Sequence, residues 1–189
     1  MNRWDVINFY VSQRKFSSFL EIGTAAGETF TRVNVKNKVS VDPNPATHPT
    51  FCMTSDSYFS THSDFFDIIF IDGLHTADQA YRDIQNALRV LNPGGVIVVH
   101  DCHPTDCHMQ ESYSNQYFWT GDVWKAFVKA RSELPYECFI LDCDFGCGVI
   151  DTSIAKTKDT SRLPSDMSAM TYEDFIANPD WMDFRSELP

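Results

Sequence analysis

Phe66-Asp67-Ile68-Ile69-Phe70-Ile71-Asp72-Gly73 is a nearly continuous apolar run that halts on an acid and a glycine. Such a run reads as a strand buried on both faces, as in a parallel sheet. Just beyond it, Thr76 and Gln79 have the spacing of a capping box. Ala77, Ala80, Tyr81, Ile84, Leu88 and Leu91 follow at helical intervals, and Asn92-Pro93-Gly94-Gly95 supplies the stop. Val96-Ile97-Val98-Val99 is another buried strand, closing on His100-Asp101. Strand, helix and strand in this order form the crossover unit of a parallel α/β sheet.

The pattern continues outward. Val6, Ile7, Tyr10 and Val11 predict an amphipathic helix over residues 3–15, and residues 19–22 a short buried strand stopped by Gly23. A helix is expected over 25–35, with Phe30 and Val33 facing inward, and a strand over 39–41. Asp42-Pro43-Asn44-Pro45 must be a loop, because two prolines so close forbid helix. Residues 51–53 read as a weak strand and 102–120 as a long loop. Asp122 is placed to cap a helix carrying Trp124, Phe127 and Val128. Residues 136–141 and 146–150 read as two strands whose tight link makes them antiparallel. The expected fold is a Rossmann-like, seven-stranded, largely parallel sheet with one antiparallel strand and helices on both faces. One domain is expected over 1–150. Residues 151–189, with 8 acidic and 4 basic side chains, read as an acidic polar tail holding one short helix over 172–177.

Composition narrows the function. The 189 residues are 43% hydrophobic, enough for a packed core, and carry a net charge of −11. That charge and the lack of a basic patch argue against nucleic acid as a partner. No apolar stretch of about 18 residues suggests a membrane span. MNRWDVINFY has no apolar signal core, and six cysteines in such a chain read as reduced thiols of a cytoplasmic enzyme.

In open α/β sheets ligands bind beyond the carboxyl ends of the strands. Glu21-Ile22-Gly23, Val41-Asp42, Ile71-Asp72 and Val99-His100-Asp101 all place polar or glycine signals there. The first turn spaces its glycines as Gly23-x-x-x-Gly27. It fails the dinucleotide fingerprint, because Ala25 and Glu28 stand where glycines are needed. A cofactor without phosphates, carrying a cationic amino group, suits this turn better. Asp42 can accept from two ribose hydroxyls, which alone does not separate nicotinamide cofactors from other nucleosides.

Glu21-x-Gly23-x-x-x-Gly27, Asp42, Ser55-Asp56-Ser57, residues 66–72 and Leu91-Asn92-Pro93-Gly94-Gly95 resemble the successive motifs of class I S-adenosylmethionine-dependent methyltransferases. Ile71-Asp72-Gly73-Leu74-His75, His100-Asp101-Cys102-His103-Pro104 and Gly121-Asp122-Val123-Trp124-Lys125 look like the small-molecule and sugar O-methyltransferase branch that includes the macrocin-type enzymes. The resemblance implies that Glu21 and Gly23 hold the methionine part of S-adenosylmethionine. It places Gly27 at the packing of the first helix, Asp42 on the ribose, and Asp56 with the Ser57 backbone on the adenine. Asp72 would face the donor methyl. In related metal-dependent enzymes, acids at the places of Asp72 and Asp101 hold Mg²⁺; Cys102, a soft ligand, stands here where an oxygen ligand is common.

His75 sits between the strand end and the capped helix, so a neutral imidazole there is expected to act as general base. The stretch His100, Cys102, His103, Cys107, His108 matches no standard zinc spacing. Cys138, Cys143 and Cys147 read as small buried thiols. Tyr113, Tyr117, Phe118 and Trp119 can wall an acceptor pocket in the long loop. The expected activity is methyl transfer to a hydroxyl of a small-molecule acceptor, with self-association left open. The competing readings are a nicotinamide-dependent oxidoreductase and a non-catalytic domain that keeps the fold.

Overall fold

The computed structural model describes residues 1–111 and 119–189. Among these, seven strands form one sheet: β1 (Ser18–Ile22), β2 (Asn37–Val41), β3 (Phe66–Ile71), β4 (Leu91–Val99), β5 (Tyr136–Leu141), β6 (Cys147–Ala155) and β7 (Phe184–Arg185). Their order is β2-β1-β3-β4-β6-β5-β7. β6 runs antiparallel to β4 and β5, and every other pairing is parallel. The expected Rossmann-like sheet is present. Six helices accompany it: α1 (Arg3–Arg14), α2 (Glu28–Arg32), α3 (Ser55–Thr61), α4 (Ala77–Arg89), α5 (Val123–Glu133) and α6 (Tyr172–Ala177).

The strands are apolar on both faces because helices cover both. Phe19, Ile68, Phe70, Val96 and Val98 meet Val6, Ile7, Tyr10 and Val11 of α1 on one side. Leu20, Ile22, Ile69, Ile71, Ile97 and Val99 meet Ala80 and Ile84 of α4 and Trp124 and Phe127 of α5 on the other. Among the described residues no helix is long and apolar enough to cross a membrane.

Several local expectations are corrected. Residues 51–53 make only an isolated bridge, Phe51 to Val41, so the seventh strand is β7, drawn from the tail. α2 is far shorter than 25–35, since the chain turns through left-handed Ala25 and Gly27 first. The Asn-Pro-Gly-Gly stop lies within β4. There the pairing jumps from Phe66–Leu91 to Ile68–Val96, and Asn92 donates to Asp67 at 2.7 Å. Thr76 forms no cap bond; the amide of Ala77 donates instead to Asp122 at 2.7 Å. Asp122 thus caps α4 and makes no side-chain cap bond to α5.

The tail is folded against the sheet. β6 runs on past residue 150 to Ala155, and Met170, Phe175 and Met182 enter the core. Buried Arg131 of α5 donates to the carbonyls of Cys138, Asp180 and Trp181, tying the tail to β5.

Candidate functional site

Parallel pairing aligns the carboxyl ends of four strands. Ile22 is in register with Val41 and with Ile71, and Ile71 with Val99. The ladder runs one residue further, with Gly23 N–H to Val41 O, Asp72 N–H to Ile22 O and His100 N–H to Ile71 O at 2.8–2.9 Å. Residues 23, 42, 72 and 100–101 therefore emerge side by side. They open into a cleft of about 670 Å³, whose wall includes Gly23, Asp42, Asp56, Asp72, His75, His100 and Asp101. That volume lies within the usual range of about 300–1,000 Å³ for small-molecule sites.

Gly23 is demanded by close approach. Its φ is +87°, and a Cβ would lie 1.9 Å from the carbonyl oxygen of Asp72. Its bare α-carbon lets the ends of β1 and β3 close together. Gly27 differs from expectation: a Cβ there meets nothing within 4 Å, so packing of α2 does not require it. Its φ of +72° does, as the turn into α2 is left-handed. Asp42 spends its carboxylate on backbone: Oδ2 accepts from Thr24 and Ala25, and Oδ1 from Asn44. Of the roughly four acceptor directions of a carboxylate, three are thus taken, leaving one rather than two.

Glu21 is 1% exposed, and its Oε2 has no protein partner. Burial, with the charge of Asp72 added, pushes its pKa from 4.5 up to about 8. Asp56 lies at the far wall, beside Arg82 at 3.7 Å and Gln79 at 3.3 Å. Ser57 is not part of the wall; its amide donates to Thr54 Oγ1, the cap of α3. Thr54, Ser55 and Gln79 line the cleft instead. Sequence reasoning gave Thr54 no role, and it read Ser55 only as part of a motif and Gln79 only as part of a capping box, since their shared wall exists only once α3 and α4 are brought together.

At the other end lies a charge cluster. His75 Nε2 is 3.4 Å from Asp72 Oδ1 and 3.2 Å from Asp101 Oδ2. His100 Nδ1 faces the same two oxygens at 3.4 and 3.3 Å, and its Nε2 faces Asp144 at 3.6 Å. Asp144, in turn, accepts from the backbone and guanidinium of Arg3. Asp101 is buried with φ +60°, a left-handed conformation uncommon for a non-glycine residue and characteristic of functional sites. His75 Nδ1 lies 3.2 Å from Trp119 O, and a carbonyl can only accept, so Nδ1 carries a proton. Its Nε2 then faces two carboxylates. Burial opposes a positive charge, but the bond to Asp72 and the charges of Asp101 and Asp72 outweigh it and raise the pKa of His75. His100 is raised further, against its burial, by Asp72 and Asp101. Burial would lift Asp72, yet His100 and His75 hold it well below the carboxylate range. The cluster thus favours the protonated form of His75 more than a free imidazole would have it, and action as a base requires that this form first lose its Nε2 proton.

Asp72, His75 and Asp101 each offer one donor atom, all within 4.8 Å of one another. Cys102 is turned away. Its thiol is buried and donates to the carbonyls of Val99 and His100, so it neither joins the set nor spoils it. Of the His/Cys stretch considered for zinc, His100 and Cys102 lie buried, His103 is bound to Asp142, and only exposed Cys107 and His108 stay together, beside Asp106, with donor atoms within 4.8 Å of one another and His108 bound to Glu111. Asp144 went unnoticed in the sequence because it sits in a turn remote in the chain. Of the aromatic group, Tyr113, Tyr117 and Phe118 lie outside the described residues. Trp119 lines the cleft and stacks on His75 with ring centroids 4.8 Å apart.

Residues 20–102 match a family described as "Methyltransferase domain". No curated protein matches the chain. Among solved structures, an O-methyltransferase from Bacillus cereus in complex with SAH shares 14% identity and a TM-score of 0.58 over 79% of this chain and 80% of that one. TomG, an O-methyltransferase from Streptomyces achromogenes in complex with SAM, shares 13% and 0.60 over 79% and 78%. The N-methyltransferase NodS from Bradyrhizobium japonicum shares 17% and 0.50 over 78% and 92%. The likeness at these identities is one of fold, and it spans both acceptor atoms. The matched stretch runs from β1 past the end of β4 and supplies most of the cleft wall.

Proposed function

We propose that this chain transfers a methyl group from S-adenosylmethionine to a hydroxyl of a small molecule. One observation carries the reading: the strand-end cleft is walled by Asp42, Asp56, Asp72 and Asp101 and, among the described residues, by no Lys or Arg. That wall suits a cofactor presenting an ammonium, a sulfonium and ribose hydroxyls. A pyrophosphate cofactor needs cationic or glycine-loop donors that this turn lacks. Gly23 takes the methionine end with the buried carboxyl of Glu21 directly behind the wall, Asp42 the ribose, and Asp56 the adenine. Gly27 and Ser57 act one step back, through the β1 turn and the start of α3.

The oxygen–carbon bond forms as the carbon–sulfur bond breaks; sulfur keeps the electron pair, and the hydroxyl proton goes to a base. Alignment of the two reactants is worth about 7–11 kcal/mol. His75 is the residue placed to take the proton, once its own Nε2 proton has left. The need for such a cluster favours a hydroxyl over an amine, and Asp72-Gly73-Leu74-His75 with Asp101 keeps the resemblance to the macrocin-type branch as part of the proposal. Asp72 and Asp101 also fit a divalent cation such as Mg²⁺, with His75 beside them left to take the proton. Bound there, the cation would lower the pKa of an acceptor hydroxyl. Titration with Mn²⁺ alone, read by its paramagnetic resonance, is expected to show one site that Asp101→Asn abolishes. Equal binding in that variant would place any cation elsewhere.

The central test is calorimetry with S-adenosylmethionine, S-adenosylhomocysteine and NAD. The first two are expected to bind and NAD is not; the reverse pattern overturns the reading. At pH 7 Glu21 is protonated, below its pKa of about 8. Pairing with the cofactor's ammonium favours the carboxylate, so binding should release a proton. Heats in two buffers of different ionisation enthalpy reveal that release, and Glu21→Gln should remove it.

A further inference from the structure

Asp83, on α4, is a buried acid to which the steps above give no part. It is 1% exposed. Its Oδ2 lies beneath the turn after Asp72, 3.7 Å from where a Cβ on Gly73 would stand. Burial lifts its pKa from 3.8 to about 6, against hydrogen bonds from Ser55 and Gln79. At neutral pH it is therefore mostly ionised, and an ionised carboxylate only accepts. A buried charge of this kind persists only where hydrogen bonds meet it. Oδ1 accepts from Nε2 of Gln79 at 3.1 Å, one turn back along α4. Asp83 is not in the cleft wall, but Ser55 and Gln79, which bond to it, are.

These bonds fix which way the Gln79 amide faces. Its Nε2 also reaches Ser55 Oγ at 3.2 Å and Asp56 Oδ1 at 3.3 Å. Ionised Asp56 and Asp83 can only accept, so the amide must turn its nitrogen to them. The amide is planar, which leaves Oε1 on the side away from both. Among the described residues nothing donates to Oε1, and it is not buried. The other side-chain oxygens of this wall are engaged. Thr54 Oγ1 accepts from the amide of Ser57, Ser55 Oγ and Asp56 Oδ1 accept from Gln79, and Asp56 Oδ2 faces Arg82 at 3.7 Å. Gln79 Oε1 is thus the acceptor that this wall keeps for a ligand.

We propose that Gln79 reads the exocyclic amine of the cofactor's adenine through Oε1, and that Asp83 is the positioning residue that holds the amide in this orientation. This rests on the methyl-transfer reading above and on the place given there to adenine. The adenine amine offers Oε1 a proton. S-inosylhomocysteine is S-adenosylhomocysteine with an oxo group in place of that amine, so it sets oxygen against oxygen and leaves both unpaired. Calorimetry should show the wild type binding S-adenosylhomocysteine at least tenfold more tightly than the inosyl compound. Gln79→Leu should cut that ratio to about threefold or less, chiefly by weakening the adenosyl ligand. Asp83→Leu should narrow it too, because the amide is then free to turn, whereas Asp83→Asn keeps an acceptor and should keep the wild-type ratio. The ratio compares two ligands on one protein, so a general loss of stability does not move it. Gln79 is half-buried, so Gln79→Leu decides the matter even where Asp83→Leu fails to fold. Equal binding of the two ligands by the wild type overturns the proposal, as does an unchanged ratio in Gln79→Leu or Asp83→Leu, or a ratio lost in Asp83→Asn. Failure of S-adenosylhomocysteine itself to bind strikes the methyl-transfer reading instead, and the proposal falls with it.

Discussion

His75→Ala is expected to lower turnover by about 10²–10⁴-fold, the usual contribution of a general base. S-adenosylhomocysteine affinity should stay within a small factor, because His75 faces the acceptor half of the cleft. The sign of the pH dependence follows from the cluster. Asp72 and Asp101 hold the extra proton on His75 and raise its pKa above the ordinary value. The form that accepts a proton therefore grows in as pH rises, through a step above about 6.5. The wild-type rate should climb through that step, and the step should vanish in the variant. Turnover at the wild-type rate in His75→Ala would move the base to another group of the cluster.

A methyl group added at Gly23 should be far more damaging than the same change four residues later. Alanine at Gly23 combines a left-handed backbone with a Cβ 1.9 Å from the carbonyl oxygen of Asp72, so the ends of β1 and β3 must part. Left-handed strain and overpacking together cost about 2–5 kcal/mol. Alanine at Gly27 meets open space, and only the left-handed cost of about 1–2 kcal/mol applies. Denaturant unfolding of both variants measures the difference, and S-adenosylhomocysteine titration should find binding lost only in Gly23→Ala. Equal unfolding costs would mean that the close approach at Gly23 is relieved by movement elsewhere.

The parts of the fold legible in the sequence were those with a strong local signal. Continuous apolar runs at 66–71 and 96–99 read as strands buried on both faces, and they pair parallel with each other at the centre of the sheet. The strand-end acids were legible for the same reason: once strands are parallel, their last residues share an edge. What escaped notice depends on distance in the chain. Asp122 reads as the cap of its own helix, yet folding carries it to the amide of Ala77. Gly27 reads as a packing glycine, but only coordinates reveal that space is free and that the torsion matters. The protonation of His75 depends on Asp101 and on the carbonyl of Trp119, neither of which its sequence neighbourhood announces. The polar composition of 151–189 concealed Phe175 and Met182, single core contacts with no repeating pattern around them.

The two residues of β7 govern more than the width of the sheet. Ile140 and Asp142 donate their amides to Asp183 and Arg185, and the Arg185 side chain returns to Glu137. During synthesis, the outer row of β5 stays bare until residues 183–185 have been made and have docked. Throughout that interval the nearly finished sheet presents a free template, open to the β-strand of another copy. In the folded chain two backbone hydrogen bonds and the Arg185–Glu137 pair are what keep that template covered.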